Sequence, residues 1–309
     1  MNPADALTIK QLRALAAVAR TGTLTAAAEQ LSLTAPAIHT QIKGLEAVLQ
    51  TRMLQRSSDS AGSRLTEAGE AMLVAAERVE VILSQCVDQV QALARGQAGR
   101  VRLGVVSTAK YFAPRLVKRL KDDLPEIEIV LRVGNREQII AELAGHVVDL
   151  AIMGRPPRAP AVLAEVLGPH PHGIVAAPDH ALAGRDRVEA ADLLRETFLA
   201  REIGSGTRTL MTRYIDRIGE GQSVDLVEMG TNETIKQAAI AGLGVGFLSL
   251  HTVQDELEFG RLVMLKGPGL PLVRQWFVVR PEDKPLTPAT ERVRAAIAAV
   301  GAQYLPHPA

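Results

Sequence analysis

Near the N-terminus, apolar residues recur at three- and four-residue intervals in three short blocks. Ile9, Leu12, Leu15 and Ala19 predict an amphipathic helix over 8–20 that ends at Thr21-Gly22. Leu24, Ala27, Ala28 and Leu31 predict a second over 24–31, and Ser32-Leu33 is a tight connection. Ile38, Ile42, Leu45 and Leu49 predict a third from Thr34 to about Gln50. Thr34 suits its N-cap, and Pro36 falls in the first turn, where a missing N–H costs little. TRMLQRSSDSAGSRLT, 51–66, then reads as strand, polar loop and strand, with Gly62 and serines at the tip. Two short helices, the second with polar residues at its N-terminal end, followed by a hairpin, make a winged helix-turn-helix pattern.

The period then changes. Met72, Ala76, Val79, Leu83, Cys86, Val90 and Leu93 follow 4-3-4-3-4-3 spacing, and no proline lies between Thr66 and Arg95. This heptad seam predicts a long helix that enters a globular core or meets a second copy of itself. Its place between compositionally distinct regions favours a dimerising linker. After Gly96 and Gly99, strands (101–106, 127–133, 148–153, 172–177, 225–228, 244–249, 275–280) alternate with helices (111–123, 135–144, 205–219, 231–241, 287–303). The alternation predicts an α/β body with mainly parallel sheets, long enough for two lobes. Proline-rich junctions at 156–160 and 268–271 are the candidate crossings between lobes.

Charge changes the picture locally. The chain of 309 residues carries a formal +1, but residues 1–64 hold seven Lys/Arg against four Asp/Glu, +3, which leaves −2 elsewhere. A basic N-terminal module suggests an anionic partner. Cys86 is the single cysteine, which excludes an internal disulfide and fits a reducing compartment; its place on the seam predicts a small apolar filler, with redox sensing the competing assignment. The first apolar stretch is short and broken by Arg13 and Arg20, unlike a signal peptide. No run approaches the roughly 18 uncharged apolar residues of a membrane span. The expected location is the cytoplasm, without membrane partners.

The third helix offers Ala35, Pro36, His39, Thr40 and Lys43 on its exposed N-terminal half. Threonine and histidine can bond base edges, alanine and proline can meet a thymine methyl, and lysine can reach guanine or phosphate. Thr34 and the helix N-terminus suit a phosphate oxygen, and Arg52, Arg56 and Arg64 flank the wing. The alternative is the solvated face of an ordinary three-helix core. In the body, Ser107 and Thr108 follow a strand, Ser205-Gly206-Thr207 precede a helix, and Thr231 and Asn232 open another. With Arg201 and Arg208 nearby, three helix N-termini converging on one cleft would favour an anionic metabolite. Lys110, Asn135, Arg136 and Arg155 are further candidates, and Glu202 and Glu233 either orient arginines or act as caps. For each residue alone, a cap or a surface ion pair is the competing assignment.

Other signals are set aside. GLGVGF, 242–247, precedes a strand instead of following one, so its glycines point to close helix–strand packing and not to a dinucleotide. His170 and His172 share a strand face, but no Cys/His cluster completes a metal site. No nucleophile-elbow pattern supports a Ser/His/Asp triad. An enzyme or a solute-binding protein remains a competing class, disfavoured by the lack of paired acid/base groups and of a signal peptide.

LTAAAEQLSLTAPAIHTQIKGLE, TRMLQR and RLTEAGE resemble the N-terminal domain of LysR-type transcriptional regulators across nearly all of residues 8–95. Leu54 stands where the family commonly has phenylalanine, and His39-Thr40 where many members carry serine-arginine. GVVSTAKYFAP, VGNREQII, DLAIMGRPP, REIGSGTR and GTNETIKQAAIAGLGVGFLS resemble the effector domain of the CbbR-type subfamily, which controls Calvin–Benson cycle and RuBisCO operons. The resemblance implies a winged helix-turn-helix domain (1–65), a dimerising linker helix (66–95) and a two-lobed, periplasmic-binding-protein-like α/β effector domain (99–309). Lobe I spans about 99–165 and 270–309, and lobe II about 166–269. It further implies a non-enzymatic homodimer or homotetramer on promoter DNA that acts on RNA polymerase. No cofactor is expected. The implied effector is a phosphorylated Calvin cycle metabolite or NADPH.

Overall fold

The computed structural model describes residues 3–56, 63–94 and 99–306. The chain divides into two compact units, Met1–Val87 and Asp88–Ala309.

In the first unit a 3-10 turn, Pro3–Ala6, leads into α1 (Ile9–Thr21). Thr8 and Gln11 form a reciprocal capping box at its start, and Gly22 ends it at φ 76°. Helices α2 (Leu24–Leu31) and α3 (Ala35–Leu49) are capped by Thr23 and Thr34. Their core joins Ala14, Leu15, Ala17 and Val18 to Ala27, Ala28, Ile38, Ile42 and Leu45. The buried face of α1 is therefore rotated from the one the leucine spacing predicts: Ile9 is 41% exposed, whereas Ala14 and Ala17 are fully buried. Small side chains win these positions because helices can approach closely there.

Strands β1 (Leu54–Arg56) and β2 (Ser63–Leu65) pair antiparallel with Leu54 opposite Leu65, forming the wing. The predicted tip, Gly62 with its serines, lies outside the described residues. Helix α4 (Glu67–Ala94) runs 28 residues, about 42 Å at 1.5 Å per residue. Gly69 lets its first turn press on the wing, since a Cβ there would stand 2.2 Å from the Met53 carbonyl oxygen. Along the seam Ala76 is buried, Met72, Val79 and Leu83 are half-buried, and Cys86 and Val90 are exposed. The side chain of Leu93, and Arg95, lie outside the described residues.

The second unit contains β3 (Gly99–Val106), a 3-10 turn at Ser107–Tyr111, α5 (Ala113–Asp123), β4 (Ile127–Gly134), α6 (Arg136–Ala144), β5 (Leu150–Met153) and β6 (Val162–Ala176). There follow α7 (Ala190–Leu193), β7 (Phe198–Arg201), α8 (Gly206–Gly219), β8 (Leu226–Met229), α9 (Asn232–Ile240) and β9 (Val245–Ser249). Then come α10 (Gln254–Glu258), β10 (Val263–Met264), β11 (Leu272–Pro281) and α11 (Pro288–Val300). The strands order as β4-β3-β5-β11-β6-β9-β7-β8, with β10 on β6. β3 is parallel to β4 and β5, and β7 is parallel to β8 and β9. The long pair β6–β11 between these sets is antiparallel. The sheet is thus mixed, two parallel sets on an antiparallel link, and not mainly parallel as the alternation predicts.

One core gathers Leu103, Phe112, Ile152, Leu167, Trp276 and Ile297; another gathers Ile174, Phe198, Met211, Tyr214 and Phe247. The chain passes between them inside β6, from Leu167 to Ile174, and inside β11, from Leu272 to Trp276. The proline junctions at 156–160 and 268–271 are not the crossings. β6 also starts ten residues before its predicted start, because Pro169 and Pro171 disguise it. Over those prolines it pairs with β11 alone, since pairing with β9 begins at His172, so a missing N–H can face away from the ladder.

Candidate anion cleft and nucleic-acid interface

A cavity of about 340 Å³ opens between the two cores of the second unit. Ser107 and Thr108 line it from the end of β3, and Ser205, Gly206 and Thr207 from the start of α8. Ser205 is the N-cap of α8 but makes no side-chain capping bond, so the first turn keeps N–H donors for a guest. Along one face of the same helix follow Leu210 and Arg213. Gly206 and Arg213 are seven residues apart, about 10 Å along the axis.

Five arginines line this space: Arg136, Arg155, Arg158, Arg213 and Arg274. No carboxylate side chain is among the described lining residues. Arg136 is held in place by the carbonyls of Arg155 (2.5 Å) and Pro156 (3.5 Å). Burial, and then the charges of Arg155 and Arg213, push its pKa down. Positive charge crowded in this way repels itself until an anion enters.

His170 and His172 form part of the wall, on β6. His170 stacks on Trp276 with centroids 3.7 Å apart and bonds Ser249 Oγ at 2.9 Å through Nε2. Burial drives both histidines toward the neutral form, with neighbouring His251 lowering them further, and His172 falls to about 3. They add aromatic surface and no competing charge.

In the first unit α3 presents Pro36, His39, Thr40 and Lys43 to solvent, with Ala35 half-buried. Thr34 Oγ1 accepts from the Ala37 N–H at 3.4 Å, as a cap does. The Thr40 hydroxyl donates to the Pro36 carbonyl at 2.9 Å, so its oxygen is left to accept. Lys43 pairs with Glu46 at 2.8 Å, and Glu46 also accepts from the Met53 N–H at 3.0 Å, which fastens the helix to the wing. Arg52 and Arg64 are exposed beside the wing; Arg56 lies in β1, its side chain outside the described set.

Residues 9–70 match the bacterial regulatory helix-turn-helix protein, lysR family, and residues 94–302 match the LysR substrate binding domain. The chain belongs to the LysR family. This LysR regulator is a transcriptional regulator and not an enzyme. It is 61% identical over 302 residues to the HTH-type transcriptional regulator CbbR of Cereibacter sphaeroides, covering 98% of this chain and 97% of that one. It is 38% identical to the RuBisCO operon transcriptional regulator of Allochromatium vinosum, over 93% of this chain and 94% of that one. The regulatory domain of CcmR from Synechocystis PCC6803, solved in complex with 2-PG, superposes with a TM-score of 0.61 at 35% identity; the match covers 65% of this chain and 97% of that domain.

Of the effector residues named from the sequence, Ser107, Thr108, Arg136, Arg155, Ser205, Gly206 and Thr207 line the LysR regulator's cleft. The others do not. Arg201 is buried in a network with Glu202 and Asn232. Arg208 donates to the Arg201 carbonyl at 2.9 Å and lies 3.6 Å from Glu228. Asn135 caps α6, and Thr231 caps α9. Lys110 sits 5.0 Å from the Tyr111 ring centre, and Glu233 pairs with Lys236 at 3.1 Å. Of the three expected N-termini only that of α8 reaches the cleft, since Ser107–Tyr111 is a 3-10 turn and neither Thr231 nor Asn232 lines the space; Arg136, the first residue of α6, joins it. Arg158, Arg213 and Arg274 were not singled out in the sequence, and His170 and His172 only as a rejected metal pair. Arg213 alone had a usable signal, its i+7 spacing from Gly206.

Proposed function

We propose that this LysR regulator controls carbon-fixation operons, including RuBisCO genes, and that a small phosphorylated anion in the arginine cleft sets its activity. The observation that carries the effector assignment is the set of five arginines facing one cavity, none ion-paired with a described carboxylate. The relatives named for CbbR and the RuBisCO operon support the target genes, and a domain 35% identical that holds 2-PG supports the ligand class. The cavity volume suits a sugar phosphate or phospho-acid better than NADPH, a dinucleotide several times larger. Hydroxyls and N–H groups at the start of α8, with the Arg213 guanidinium two turns further along the same helix, favour a ligand charged at both ends.

DNA is held by α3 in the major groove, through Ala35, Pro36, His39 and Thr40, with Thr34, Lys43, Arg52, Arg56 and Arg64 on the backbone or minor groove. The α4 seam joins two chains, and effector domains pair dimers into a tetramer, which meets RNA polymerase in the cytoplasm. The test is calorimetric titration of the full chain with 2-phosphoglycolate, ribulose 1,5-bisphosphate, 3-phosphoglycerate, phosphoenolpyruvate and NADPH separately. Saturable binding of a phosphorylated acid or sugar, weakened at least about tenfold in Arg213→Ala, supports the cleft. Binding of NADPH alone, or of none, overturns the effector assignment and leaves the DNA-binding one.

A further inference from the structure

One guanidinium reaches a cleft residue from outside the cleft. Arg201, the last residue of β7, is 3% exposed and is absent from the cavity wall. Its Nε donates to Glu202 Oε2 at 2.6 Å, its Nη2 to Glu202 Oε1 at 2.8 Å, and its Nη1 to Asn232 Oδ1. Its carbonyl accepts from Arg208 at 2.9 Å. With so many bonds the side chain has one orientation. From it, Nη2 also donates to Ser107 Oγ at 3.1 Å.

Ser107 belongs to the other lobe and does line the cleft. A serine hydroxyl has one hydrogen and two acceptor lone pairs. Once its oxygen accepts from a cation, its hydrogen is left to donate, and the bond polarises it for that role. A guest anion in the arginine-lined space beside Ser107 is the matching acceptor. The bond from Arg201 exists only while the lobes stand as they do here. Three other bonds cross on the same side: Asn135 Nδ2 to Glu202 Oε1 at 3.5 Å, the Glu137 N–H to the Gly204 carbonyl at 3.2 Å, and the Tyr111 hydroxyl to Glu233 Oε2 at 3.4 Å.

We propose that Arg201 is a positioning residue: it turns the Ser107 hydroxyl into a donor aimed at the bound anion, and makes that donor conditional on the lobes being together. The inference rests on the cleft reading given above. It supplies what any ligand-driven switch needs, a contact that differs between two arrangements of the protein.

The test is a double-mutant cycle on the full chain with 2-phosphoglycolate as the probe, using Ser107→Ala, Arg201→Gln and the pair. Each single change is expected to weaken binding about tenfold, and the double no more than about twofold beyond Ser107→Ala. Losses that multiply overturn the proposal, because a merely structural arginine would act independently of Ser107. Arg201→Gln also leaves a partly buried Glu202 short of partners, so a second readout avoids that variant. Spin labels at Lys121→Cys and Asp216→Cys, one per lobe, in a Cys86→Ser background diluted with unlabelled chain, report the lobe distance without ligand. Ser107→Ala is expected to broaden that distribution, and an unchanged one overturns the proposal. If the unmutated protein binds no 2-phosphoglycolate, that ligand assignment falls, and the ligand-free distances alone decide on Arg201.

Discussion

At the scale of single residues, the informative contrast is between Arg213 and Arg208. Both lie on α8, five residues apart, but Arg213 lines the cleft and Arg208 holds the Arg201 carbonyl. The family-like REIGSGTR segment makes Arg208 the natural candidate from sequence, yet a helix turns 100° per residue and the two face differently. Arg208→Ala is therefore expected to change effector affinity less than Arg213→Ala, as competition binding with a labelled phosphate ester would show. Ser205, Gly206 and Thr207 were legible because a helix start after a strand is a local pattern. Arg158 and Arg274 were not, because nothing local says which way a loop or strand arginine points. The histidines give a pH prediction. His170 and His172 titrate lower in the folded chain than their ordinary 6.5, by burial first and then by neighbouring histidines, with Arg274 also acting on His172. The unfolded chain thus binds more protons below 6.5, so stability is full above that pH and is lost as pH falls, by up to about 1.4 kcal/mol per unit for each histidine. The melting temperature of the effector domain should fall between pH 7 and pH 5, and His172→Phe should flatten that fall.

At the scale of elements, helices with regular seams were readable to within a residue or two: α3, α6, α8 and α9 start after the Thr, Asn or Ser singled out in the sequence, and α2 starts where its spacing predicts. Of the glycines of GLGVGF, Gly246 gives the expected helix–strand approach, Gly244 approaches backbone ahead of β7 instead, and Gly242 has open space and φ 75°. A Cβ at Gly246 would stand 2.9 Å from Ile235 of α9, and one at Gly244 would stand 2.3 Å from the Thr197 carbonyl oxygen. Short or proline-bearing strands were not readable. β7 has four residues and no alternation, and β6 looks broken at Pro169 and Pro171. The wing–α4 junction is tight enough for a sharp prediction. Gly69→Ala should cost about 1–3 kcal/mol, because the Met53 carbonyl is backbone and must shift. Thermal unfolding of the DNA-binding domain followed by circular dichroism would measure it, and an unchanged midpoint would mean the junction relaxes freely.

At the scale of the whole molecule, the α4 seam is the feature that asks for a partner. Val90 of the seam, and Ile82 and Val87 beside it, are more than half exposed in the single chain. Val90→Asp should shift the sedimentation profile toward monomer and weaken operator binding, since two half-sites would no longer be held together. For each half-site, Lys43→Ala should lower the steepness of affinity against salt by about one counterion if that ammonium meets phosphate. An unchanged slope with altered base preference would instead place Lys43 on a base edge.

The two passages through β6 and β11 carry a further consequence. His170 sits opposite Arg274, and Gly168 opposite Trp276, in neighbouring strands. The second lobe therefore enters and leaves the first about one strand spacing apart, roughly 5 Å. In topological terms it is an insertion, a module spliced into a hairpin of an otherwise complete smaller protein. Excising it and closing β6 to β11 with a two-residue Asn-Gly turn should leave a chain that folds around Trp276 and Ile297, keeps half of the cleft, and binds no effector. Ancestry by such an insertion would make the cleft a seam between two once-separate folds, with its arginines recruited from both sides.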